Sequence, residues 1–316
     1  MKPTDSNRCA SPGHVGAAAM PRSQGLALRG LLRGIAAALV LAGCAAPIPA
    51  EPPAALADLV RSPPGLDFLL LGEVHDNPEH HRQRLGWLES LARSGRFALA
   101  LEQFDADRQP AIDAAVAAGL DAGVLARSAG FDFDGWDWKL YAPYVELALR
   151  HGLPLVAANL STAQTRSIAR APVAAAPAPS PAGWGAAEDA ALAAEISDGH
   201  CGLLPARAIA PMAAAQRARD ARIATALVEA RHTTGLPVVL IAGNGHVRRD
   251  IGVPKHLAGL TPQARVLAIG FLERSTLPGE RVIDAAEPFD RVVGTAPHPR
   301  PDPCESLRKA FASPKG

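Results

Sequence analysis

Two short stretches hold the residues with the most chemistry. Leu66–Leu88 reads LDFLLLGEVHDNPEHHRQRLGWL, and in it Gly72 is followed at once by Glu73 and then by His75. Leu236–His246 reads LPVVLIAGNGH and repeats the layout, with His246 three residues after Gly243. A further carboxylate, Glu102, closes the apolar run Arg96–Gln103, RFALALEQ. Two imidazoles and two carboxylates suit a divalent transition metal whose open position would activate water. Without metal, the same groups make an acid–base pair. The bland alternative is that the histidines bond loop backbone and the glutamates cap helices.

The elements that must position these groups are apolar strands. Phe68–Leu71 and Val238–Ala242 each stop at the glycine of a Gly-x-x-His turn, and Leu153–Leu160 adds a strand that puts Asn159 near the same crevice. Asn77-Pro78 marks a helix start, with Leu85, Leu88 and Leu91 as its apolar stripe. The chemistry therefore sits at carboxyl ends of strands, where open α/β sheets bind ligands. Strands alternate with helical stretches, including Ala206–His232, and Arg265–Leu272 is the last strand. This order predicts an α/β fold, three layers α/β/α around a mostly parallel sheet.

Phe131–Tyr144, FDFDGWDWKLYAPY, holds both tyrosines of the chain and two of its four tryptophans. Tyr141 and Tyr144 share a helix face. They are either half-buried packing or an axial ligand to ferric haem, with Trp136 and Trp138 as a flat apolar wall. Arg248 and Arg249 are either a clamp for a carboxylate or propionate, or a solvated pair. His80 and His81 read as exposed residues of a first helical turn. His200 reaches the crevice or belongs to its own loop.

The chain has 316 residues, of which 48% are hydrophobic, so one large domain is feasible. A net charge of +1 without a long basic run argues against nucleic acid as a partner. Arg22, Arg29 and Arg33 precede the short apolar run Ile35–Ala42, and Leu41-Ala42-Gly43-Cys44 resembles a bacterial lipobox. Residues 1–44 are thus expected to be an export signal, with Met20 as an alternative start that would leave 1–19 untranslated. That resemblance implies acylation of Cys44, and Ala45 after it favours the outer membrane. Residues 45–64 read as a Pro/Ala-rich tether, 65–316 as one domain, and the tract near 171–185 as a flexible insertion. Cys201 and Cys304 are then left, either as a disulfide or as two separate buried thiols.

Seven segments in order, GEVHDNPEHHRQ, LEQFD, WKLYAPYVELA, SDGHCGLLP, AQRARDARIA, LIAGNGHVRRDIGVP and RPDPCE, resemble the ChaN-like haem-binding lipoproteins of the Tiki and erythromycin-esterase superfamily. The resemblance spans roughly Leu66–Glu305. It implies a haem-binding outer-membrane lipoprotein in haem and iron uptake, with haems stacked between two subunits and an outer-membrane haem receptor as possible partner. By the same resemblance Tyr141, in Trp138-x-x-Tyr141-x-Pro143, is the iron ligand, with Tyr144 as fallback. Trp138 and Arg249 complete the haem contacts. The superfamily's metal-dependent hydrolases imply the alternative, in which His75, His246, Glu73 and Glu102 hold a metal and a glutamate serves as base. An exported scaffold with a relic crevice is the third expectation.

Overall fold

The computed structural model describes residues 65–171, 181–274, 279–282 and 288–312. The signal segment, Cys44, the tether 45–64 and residues 172–180 of the Pro/Ala tract lie outside the described residues. The strands are β1 (Phe68–Leu71), β2 (Ala98–Asp105), β3 (Leu155–Asn159), β4 (Val238–Ile241), β5 (Val266–Glu273), β6 (Gly279–Val282) and β7 (Arg291–Thr295). They form a sheet in the order β3-β2-β4-β1-β5-β7-β6. All neighbours run parallel except β6, which pairs antiparallel with β7 at one edge.

Among the described residues the helices are α1 (Pro78–Ser94), α2 (Gln109–Ala117), α3 (Ala122–Ser128), α4 (Trp138–His151), α5 (Thr162–Arg170), α6 (Ala186–Gly199), α7 (Ala206–Thr234), α8 (Asn244–Val247), α9 (Val253–Leu260) and α10 (Pro303–Ala312). One core joins Leu69, Leu71, Leu99, Leu101 and Ile269 to Trp87, Leu88, Leu125, Val145 and Leu147 of α1, α3 and α4. The other joins Phe68, Leu70, Ala98, Ala100 and Leu240 to Ile223, Leu227, Val253 and Leu257 of α7 and α9. Strand residues alternate between these cores, so the sheet is covered on both faces, as its uninterrupted apolar strands require.

The caps follow local chemistry. Asn77 accepts from the backbone N–H groups of Glu79 and His80, and Pro78 occupies the first turn, where no N–H is needed. Ser161 and Gln164 form a reciprocal capping box at α5. Gly152 and Gly235 end α4 and α7 with φ of 60° and 68°, a conformation that favours glycine.

Thr162–Arg170 forms α5 ahead of the Pro/Ala tract. Val253–Leu260 is a helix with Pro254 in its first turn. The Pro-rich tail continues into α10, and Cys201–Cys304 form a disulfide with Cα atoms 5.7 Å apart. That bond ties α10 to the turn between α6 and α7.

Candidate functional site

Strand order builds the site. β4 lies between β1 and β2, so the turn after it, Gly243–His246, enters between Glu73 after β1 and Glu102 in β2. The two Gly-x-x-His turns interlock. A Cβ on Gly72 would stand 2.2 Å from Asn244 Oδ1, and a Cβ on Gly243 would stand 2.9 Å from His75 Cε1 and Nε2. Each glycine makes room for the other turn. Asn244 spans the gap, donating to the Phe271 carbonyl (2.6 Å) and accepting from its N–H (3.0 Å).

Glu73 is buried, with two hydrogen bonds on one oxygen and an ion pair on the other. Its Oε1 accepts from His75 Nδ1 (2.6 Å) and the Tyr141 hydroxyl (2.5 Å), and the buried Arg84 guanidinium pairs with Oε2. Burial pushes its carboxyl up, but Arg84 and the His75 bond outweigh that and hold it at about 2. His81 donates from Nε2 to the His75 carbonyl (2.8 Å) and so pins the turn. His80 accepts the Val74 N–H at Nδ1 (2.9 Å) and therefore donates from Nε2 to Thr295 Oγ1 (2.7 Å). Burial, reinforced by Arg84, lowers both imidazoles to about 4, so both are neutral at pH 7.

His246 forms the second centre. Its Nδ1 meets Asp220 Oδ1 at 2.6 Å and its Nε2 meets Glu102 Oε1 at 3.2 Å. Burial opposes the charge, yet Glu102 and Asp220 outweigh it and raise the imidazole to about 9, which makes it a cation. Glu102 also accepts from Arg219 (2.7 Å) and from the Gly243 N–H (2.8 Å). Arg219 Nε donates to Asn159 Oδ1 (3.1 Å), and Asn159 Nδ2 in turn donates to the Glu102 carbonyl (3.1 Å).

The structure thus brings together Glu73, His75, Glu102 and His246. Among the described residues, no group of three or more His, Cys, Asp or Glu is placed to hold a metal ion. Arg84 and Arg219 pair with the two carboxylates, and His246 has a carboxylate at each nitrogen.

Both tyrosines lie inside the fold: Tyr141 is 1% exposed and Tyr144 is fully buried. The Tyr141 hydroxyl donates to Glu73, and burial beside that carboxylate pushes its ionisation far up. Burial pushes Tyr144 up as well, although Arg84 opposes it. Arg249, whose side chain is 60% exposed, pairs with Asp290 (2.7 Å), and Arg248 pairs with Glu195 and Asp250. His80 and His81 are buried structural residues rather than exposed ones, and His200 bonds the Ile196 carbonyl at the end of α6. Trp138 is half-buried, packed on Phe131 and Phe133. The sequence reading missed Arg84, Asp220 and Arg219 as members of the site. The run AQRARDARIA did place Arg219 and Asp220 on one helical side, yet nothing in its spacing shows that α7 faces β2 and β4.

Fold and crevice define a doubly covered, mostly parallel α/β protein whose polar groups gather at the carboxyl ends of β1, β2 and β4. A family model described as haem-binding uptake, Tiki superfamily, ChaN, matches residues 60–257. The chain belongs to this ChaN family. Its fold is similar to that of ChaN of Campylobacter jejuni, a structure titled for cofacial haem binding (23% identity, TM-score 0.63, 75% of this chain and 89% of that one). More distant likenesses are the type III effector HopBA1 (14% identity, TM-score 0.43, 73% of this chain and 88% of that one) and the erythromycin esterase EreC in its open conformation (17% identity, TM-score 0.41, 82% of each chain). No curated protein matches the chain.

Proposed function

We propose that the chain is an exported, lipid-anchored protein that binds haem during iron uptake. Family membership and the cofacial haem of the Campylobacter jejuni relative support haem as the cargo. The observation that carries the site is His75. Its side chain is 46% exposed, while Glu73 holds its Nδ1 at 2.6 Å and so directs the lone pair to Nε2. An imidazole fixed by an anionic acceptor is a better oriented and more basic ligand. Trp136 stands edge-on to it at 4.8 Å, and the neighbouring Phe133 is 44% exposed on Trp138. These aromatic groups offer an apolar face to a macrocycle.

In this reading His75 Nε2 meets the ferric iron and Tyr141 is a positioning residue that acts through Glu73. Ligation by Tyr141 would require its phenol to leave Glu73. Acylation at Cys44 would anchor the domain to the outer membrane. Two copies stacking their haems would cover Phe133, and an outer-membrane haem receptor would be the partner. Resonance Raman spectra of the ferric haem complex test the ligand. Histidine-ligated bands lost in His75→Ala and kept in Tyr141→Phe support this assignment, whereas phenolate modes lost only in Tyr141→Phe return the ligand to Tyr141.

A second reading rests on the paired His–carboxylate contacts at 2.6 Å, Glu73–His75 and Asp220–His246. His75 Nε2 would act as general base and cationic His246 as an electrostatic stabiliser in ester hydrolysis without metal. Hydrolysis that survives chelation and is lost in His75→Ala would favour it.

A further inference from the structure

Beside the crevice lies a polar cleft of about 330 Å³ that the haem reading leaves unused. Its floor is the carboxyl end of β2, where the pairing with β3 slips between Leu101 and Asp105. Such irregularities re-aim side chains. Here Glu102 and Gln103, adjacent in sequence, both line the cleft. Gln103 is 5% exposed, yet neither its amide nitrogen nor its amide oxygen has a hydrogen-bond partner. A buried amide with both ends unmet is costly, so its retention asks for a ligand.

The walls carry opposite charge. On one side are Thr162, Thr165 and Arg166 of α5, which packs on α7, and the first turn of α5 adds its positive end. Among the described residues the exposed Arg166 has no ion-pair partner. On the other side, the segment before α4 contributes Asp132 and Trp136, and Asp105 stands between. Among the described residues the Asp105 carboxylate has no hydrogen-bond donor. Burial, Asp107 and Asp132 raise its ionisation, while Arg108 and Arg219 oppose that rise. Haem, with its apolar faces, does not suit such a surface.

From these opposed walls and the unmet amide we infer that the cleft binds a free α-amino acid. Its carboxylate meets Arg166 and the α5 hydroxyls. Its ammonium group meets Asp105 and Asp132, and Gln103 satisfies what remains at the floor. This inference stands apart from the haem reading. Trp136 links the two places, since it lines the cleft and also touches His75.

The test is calorimetric titration of the soluble domain with each common L-amino acid, beside the matching carboxylic acids without the amine and amines without the carboxylate. The expected result is saturable binding of at least one amino acid, absent for both sets of analogues, with altered tryptophan fluorescence. Arg166→Ala, an exposed change, should weaken it about tenfold or more. Gln103→Leu should abolish binding while raising the melting temperature. Failure of every amino acid to bind overturns the proposal. So does binding that ignores both variants, or carboxylic acids that bind equally well. A haemin titration on the same sample reads the other site separately.

Discussion

The imidazole of His75 lies over Gly243, in the space that a Cβ there would enter at 2.9 Å. This contact joins the turn after β1 to the turn after β4 and brings His75 close to Glu102, whose charge helps to raise it. Burial works against that rise, and the Glu73 bond works for it. The geometry of the whole crevice depends on a missing methyl group.

Gly243→Ala should therefore displace His75 rather than merely strain a turn. The expected cost is about 1–3 kcal/mol in stability, typical of overpacking a close contact. A chemical-denaturation series would measure it, and the His75 ring resonances should shift together with those of Glu102. Unchanged stability and unchanged His75 signals would contradict the contact.

Arg84→Met should be among the most damaging single changes. It leaves the Glu73 carboxylate buried without its cation, a loss of about 3–5 kcal/mol. Tyr141→Phe removes only one of several bonds to the same carboxylate, so about 1–3 kcal/mol is expected. A denaturation midpoint that falls further for Tyr141→Phe than for Arg84→Met would reverse this ranking.

Protonation follows from the same network. His246 is raised from 6.5 to about 9, so the stability it contributes is complete below pH 6.5 and is lost as pH rises through 9. The loss is up to about 3 kcal/mol. Glu73, held at about 2, contributes stability that is present above 4.5 and fades as pH falls towards 2. NMR titration should find His246 charged at pH 7.5 while His80 and His81 stay neutral at pH 6. A neutral His246 at pH 7.5 would contradict the Asp220–Glu102 clamp.

Reduction of Cys201–Cys304 opens a loop with a sequence separation of 103 residues. The expected loss is about 2–5 kcal/mol. The first region to loosen should be the tail, where Arg300 binds Asp76 and Glu273 at 2.7 Å beside the first turn. Hydrogen exchange before and after reduction would locate it.

The central strands, α1 and the two Gly-x-x-His turns were legible because apolar runs ending in glycine leave few alternatives. Pairing order was not. That β4 inserts between β1 and β2 is a tertiary fact, and it alone decides that His246 meets Glu102 and that Asp220 reaches across from α7. The buried Arg84 was hidden because an arginine on an amphipathic helix normally reads as solvated. Tyr141 was singled out, but no pattern in the sequence shows that Glu73 already holds its hydroxyl.

The most direct measurement is a haemin titration of the soluble domain beginning after Cys44, read by absorbance, with His75→Ala alongside. The account predicts saturable binding for the native chain. It predicts binding that weakens as the pH falls through the raised His75 titration and that is largely lost in the variant. Binding that never saturates, or that is identical in His75→Ala, would contradict it.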